Sequence, residues 1–70
     1  MELRVKDYKN GEILKIIREW NNISQEQLGN LIGKDKKTIY NYEAENFTYN
    51  MTTLRKIAEK LDLEIIIRKK

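Results

Sequence analysis

Apolar residues recur at helical spacing in four stretches of this chain and at strand-like density in a fifth. Ile13, Ile16, Ile17 and Trp20 return every three or four residues, with Leu14 broadening the stripe. This predicts a first helix from about Asn10 to Asn21, stopped by Asn21-Asn22, since Asn tolerates the left-handed conformation. Trp20 falls on the apolar face and is expected in the core. A second helix has the sharpest start. Ser24-Gln25-Glu26-Gln27 forms a capping box, with Ile23 placed to staple onto Leu28. Leu28, Leu31 and Ile32 follow at helical spacing, and Gly33 suits the position after the helix, where a positive φ is cheap for glycine.

A third helix begins almost at once. Asp35 is a good N-cap, Ile39 and Tyr42 share one face, and Lys36, Lys37, Tyr40 and Asn41 lie largely on the others. It is expected to end near Ala44–Asn46. A polar loop, 45–50, leads to Asn50 as the cap of a fourth helix from Met51 to about Leu61. Its apolar set is Met51, Leu54, Ile57, Ala58 and Leu61. The tail Leu63-Glu64-Ile65-Ile66-Ile67 is β-branched and short, and reads as a terminal strand over 63–68. A single strand needs a ladder partner, either residues 2–6 of the same chain or a second copy. Residues 1–9 alternate weakly and read as an arm or a lead-in.

Composition narrows the class. Seventy residues make one small domain with a marginal core. There is no Cys for a disulfide and no His, so Cys/His zinc chemistry is absent, and neither metal nor cofactor is expected. Absent proline and only three glycines favour helices. No run approaches the apolar length of a membrane span, and the N-terminus lacks a secretory core, so a cytoplasmic location is the default expectation. The net charge of +3 resides in Arg68, Lys69 and Lys70. Without them, 11 basic residues balance 11 acidic ones, so any basic surface is local, and Lys34-Asp35-Lys36-Lys37 is the candidate.

The short link around Gly33 between helices two and three has the spacing of a helix-turn-helix, whose second helix leads its N-terminal turn into the major groove. That turn carries Lys36 and Lys37, with Thr38 and Asn41 nearby. Lys donates to guanine O6 and N7, Asn pairs with adenine, and a Thr methyl meets the thymine methyl. Lysines there sit at the positive end of a helix dipole, a placement that helix stability does not reward. An ordinary solvated charge face is the competing reading. Tyr40, Tyr42 and Tyr49 raise the option of a single-strand stacking platform, but core and loop packing account for Tyr42 and Tyr49 more simply. An RNA binder would be expected to show an aromatic sheet or a GXXG loop. Catalysis has little support: Ser24 is consumed by capping, and Glu43 and Glu45 are two apart on a helix and do not face each other. The chain is not expected to be an enzyme.

Ile23-Ser24-Gln25-Glu26-Gln27-Leu28-Gly29-Asn30-Leu31-Ile32-Gly33 resembles the opening of the Cro/CI (XRE) helix-turn-helix. Thr38-Ile39-Tyr40-Asn41-Tyr42-Glu43 resembles its recognition helix, and Leu54–Leu61 its penultimate helix; the likeness covers about residues 11–63. It implies a mainly α, lambda-repressor-like bundle of four to five helices plus the terminal strand. It also implies that Gln25 bonds a phosphate or a base edge, that Lys36, Lys37 and Asn41 reach bases, and that Thr38 and Tyr40 touch bases or backbone. Asn46 and Thr48 would meet phosphates, and Arg18 and Glu43 would pair. Three positions depart from the family pattern. Gly29 stands in place of alanine, and Lys34 in place of an apolar residue whose role its stem would take over. Glu45 stands in place of glycine, predicting a different exit from helix three.

The tail resembles that of HipB-type and HigA-type antitoxins, in which a strand after the last helix pairs across a dimer or packs near the toxin. Leu63, Ile65 and Ile67 are therefore the candidate dimerisation residues. The function these features imply is a sequence-specific double-stranded DNA-binding repressor, acting as a homodimer on a palindromic operator. The alternative is an antitoxin that binds a toxin protein and represses its own operon.

Overall fold

A computed structural model describes all 70 residues. A 3-10 turn, Val5–Asp7, precedes four α-helices: α1 (Asn10–Trp20), α2 (Gln25–Ile32), α3 (Lys36–Glu43) and α4 (Met51–Lys60). The chain is a mainly α helix-turn-helix bundle.

Local chemistry sets the helix ends. Ser24 Oγ accepts from Gln27 N–H at 3.0 Å, while the Gln27 side chain accepts from Ser24 N–H at 2.8 Å, closing the capping box. Asn50 Oδ1 caps α4 through Thr53 N–H at 2.9 Å. Asn22 takes φ 53° after α1, as expected for Asn in a helix stop. Gly33, at φ 72°, turns the chain so that Lys34 N–H returns to the Gly29 carbonyl at 2.8 Å.

The core is one cluster in which Leu14, Leu28, Ile39 and Ile57, one residue from each α-helix, are wholly shielded from solvent. Ile13, Ile17, Ile32 and Tyr42 complete its buried part, and Leu3, Ile23, Leu31, Tyr49, Leu54, Leu61 and Leu63 pack around it. Burying each large aliphatic side chain is worth roughly 1.5–3 kcal/mol. Leu3 thus ties the N-terminal segment to the body.

Several expectations are corrected. No strand forms at 63–68, either alone or against residues 2–6. Leu63 N–H bonds the Ala58 carbonyl at 2.8 Å, and beyond it Ile65, Ile66 and Ile67 are exposed. The β-branched composition is present, but within one chain no second edge meets it. Trp20, the last residue of α1, is only partly buried and lies outside the core cluster, to which α1 contributes Ile13, Leu14 and Ile17. Met51, in the first turn of α4, is 53% exposed rather than buried. α3 runs to Glu43 with Ala44 as its C-cap, at the near edge of the expected range. Lys34 is exposed. Glu45 leaves α3 at φ 65°, in the left-handed conformation that glycine adopts most readily.

Candidate nucleic-acid interface

α3 shows two faces. Ile39 and Tyr42 point into the core, while Lys36, Lys37 and Tyr40 are exposed, Tyr40 at 56%. Tyr40 comes four residues after Lys36 and three after Lys37, so the three share one side of the helix. Lys34, just before the helix, is exposed as well.

The first turn of α3 is rigidly tied. Asp35 Oδ1 accepts from Thr38 N–H at 2.8 Å and from the Thr38 hydroxyl at 2.6 Å. Those bonds, the hydroxyl's foremost, hold the Asp35 carboxyl below its ordinary value. The Thr38 hydroxyl hydrogen is therefore engaged within the chain, while its oxygen can still accept.

The Arg18–Glu43 pair locks α1 to α3. Arg18 Nε donates to Glu43 Oε2 at 2.8 Å and Nη2 donates to Oε1 at 3.0 Å, a two-pronged geometry. Nη1 adds a bond to the Ile23 carbonyl at 3.1 Å, reaching the start of α2. The hydrogen bond to Glu43 raises the Arg18 pKa above its ordinary value, outweighing the opposing effect of burial. Gln25, on the first turn of α2, is partly buried and reaches the same carboxylate, with Nε2 at 3.4 Å from Glu43 Oε1. It is held within the protein by one long bond.

The segment after α3 is anchored to both α3 and α1. Asn46 Nδ2 donates to Asn41 Oδ1 at 3.0 Å, and the N–H groups of Asn46 and Phe47 bond the Asn41 carbonyl at 2.9 and 3.3 Å. Asn41 is thus partly spent on positioning the loop that carries Asn46 and Thr48, both exposed. The Glu45 carboxylate accepts from Gly11 N–H, a free donor of the first turn of α1, where negative charge is favoured. The Tyr49 hydroxyl donates to the Asn10 carbonyl at 2.6 Å, and its ring meets Tyr42 edge-on, 5.6 Å between centroids. Burial, with the Glu45 charge second, pushes the Tyr49 phenol up to about 12.

Sequence reasoning missed Gly11. A Cβ there would lie 2.5 Å from the Tyr42 carbonyl oxygen and 2.6 Å from that of Glu43, so only glycine lets α1 approach the end of α3. Its signal was available, since glycine in a helix is costly unless something demands it. Gly29 is similar. Its Cβ would come within 2.5 Å of the Lys34 carbonyl oxygen, so the turn folds tightly over α2 where the family has alanine. The Glu45 anchor had no sequence signal, because a glutamate at positive φ is not a recognisable pattern.

No helix is long and apolar enough to cross a membrane. A helix-turn-helix family model matches residues 14–66. Solved structures with the same fold include a HipB–O4 20mer complex, TM-score 0.69 at 25% identity, covering 97% of each chain. A HipB–O1–O2 complex gives 0.68 at 25% identity, over 97% of this chain and 100% of that one. A HipA–HipB–O2–O3 complex gives 0.68 at 25% identity, over 97% of each. No curated protein matches the sequence. With most of its length inside the family match and the α2–turn–α3 geometry in place, the chain belongs to the helix-turn-helix family of Cro/CI (XRE) type, a family of DNA-binding transcription regulators.

Proposed function

We propose that the chain is a sequence-specific repressor that binds a palindromic operator as a homodimer, with α3 of each copy in the major groove. The observation that carries this reading is the exposed side of α3, where Lys36, Lys37 and Tyr40 stand together while Ile39 and Tyr42 fix the opposite side in the core. Lys36, Lys37 and Asn41 read base edges, and the Thr38 methyl meets a thymine. Lys34, Asn46 and Thr48 contact phosphates, which positions the helix without reading sequence; Gln25 meets a phosphate or a base edge, and Tyr40 a base or the backbone. The exposed Ile65 and Ile67, with Leu63 beside them, supply the edge that a second copy pairs with. Bound at a promoter, the dimer acts by occupancy. Selection from random duplex DNA tests this: two inverted half-sites roughly 34 Å apart should emerge. Recovery of no common sequence would remove the reading.

A second role is compatible with the first. HipB, of similar fold, occurs in a complex with HipA, and the tail here leaves three consecutive isoleucines exposed. On this reading the chain is an antitoxin that holds a toxin protein and represses its own operon. Co-expression with the product of the adjacent gene checks it: rescue of growth and a stable complex support the role, and independent behaviour of the two proteins excludes that partner.

A further inference from the structure

Between α1, the start of α2 and the flank of α3 lies a groove of about 270 Å³, lined by Lys15, Arg18, Gln25, Tyr40, Glu43 and Ala44. Two of these, Gln25 and Tyr40, already belong to the proposed DNA face. The groove's charge is simple. Arg18 and Glu43 neutralise each other, and the Glu43 side chain is only 7% exposed, so little negative charge faces outward. Lys15 supplies the remaining charge. It is exposed, midway along α1, with Glu12 and Glu19 about one turn to either side. Neither forms an ion pair with it: within 4.0 Å the chain's ion pair is Arg18–Glu43, and Glu12 Oε1 accepts from Lys9 N–H at 2.9 Å.

An unpaired ammonium, a phenol hydroxyl and a carboxamide held by one 3.4 Å bond therefore line a single concave site. All three donate, and the one carboxylate present is occupied. Such a set suits an anion whose oxygens only accept. We propose that Lys15, with Tyr40 and Gln25, seats a backbone phosphodiester of the bound duplex, which brings α1 into the DNA footprint. The inference rests on the proposed DNA binding and deepens it. Tyr40 shares its face with Lys36 and Lys37, so the groove continues the reading surface onto α1. Lys15 then adds one counterion-releasing contact that carries no base information.

The test uses the full chain and the variants Lys15→Ala and Lys15→Arg. Each is titrated onto a short duplex of random sequence across roughly 50–200 mM salt, because phosphate contacts do not depend on sequence. Lys15→Ala should reduce the slope of log affinity against log salt by about 0.9, and Lys15→Arg should keep the parent slope. The ranking of bases recovered by selection should be unchanged in Lys15→Ala. Circular dichroism confirms that the variants fold, as expected for an exposed position. Parent binding with an unaltered Lys15→Ala slope overturns the phosphate seat and leaves the DNA reading intact. A changed base ranking also overturns it, because Lys15 would then be reading bases. If the parent chain binds no duplex, the DNA reading fails and the seat fails with it.

Discussion

The α1–α3 body and the tail after α4 solve the same problem in opposite ways. In the body, apolar residues at helical spacing find each other within one chain, and polar bonds fix the geometry. Arg18–Glu43, Glu45 to Gly11 and Tyr49 to Asn10 all join α1 to α3 or to the segment that follows it. The tail has equally apolar residues, yet past Leu63 they remain exposed. Ile66 is 61% and Ile67 is 92% exposed, beside a groove of about 470 Å³ that Ile65 shares with Met51, Arg55 and Ala58 of α4. A helix satisfies its own backbone; a strand cannot. Equal hydrophobicity therefore yields a finished structure in one region and an unpartnered edge in the other.

The largest test of this contrast is Leu28→Ala. Leu28 is wholly buried at the centre of the cluster, and its truncation should cost about 3 kcal/mol in urea unfolding. A loss below about 1 kcal/mol would mean that the body is packed no better than the tail. Next comes Gly11→Ala, which forces backbone carbonyls of α3 to move and should cost about 2 kcal/mol despite alanine's better helix propensity. A neutral result would show that the α1–α3 approach is loose.

For DNA, Lys36→Ala should cost about 1–3 kcal/mol on the selected operator and relax one base preference. Unchanged affinity and preference would remove Lys36 from the reading surface. Asp35→Ala removes the α3 cap and should lower the midpoint of urea unfolding, by less than either core variant does. The Asp35 carboxyl is held low in the folded chain, so its contribution is full above the unfolded value of 3.8 and is lost as pH falls through the lower folded value. The variant should lose that part of the acid dependence.

The smallest stability effect belongs to Ile65→Lys, where unfolding of the dilute chain should move by less than about 0.5 kcal/mol. The same variant should lose the dimer in analytical sedimentation. A large stability loss at low concentration would show that the tail is part of the body after all.

Much of the fold was legible in advance because its signals are local. The Ser24 capping box, the Asp35 and Asn50 caps and the left-handed Gly33 each depend on a few neighbouring residues, so composition and spacing determined the four helices and the turn between α2 and α3. Of the candidate site, the exposure of Lys36, Lys37 and Tyr40 follows from the same periodicity. Tertiary structure alone decided what depends on distant partners: that Glu45 reaches back 34 residues to Gly11, that Asn41 and Gln25 are tied to Asn46 and Glu43, that Trp20 falls outside the core, and that Lys15 lines a groove with Tyr40. It also decided that the β-branched tail forms no strand within one chain, because a ladder requires a second edge and the packed body presents none.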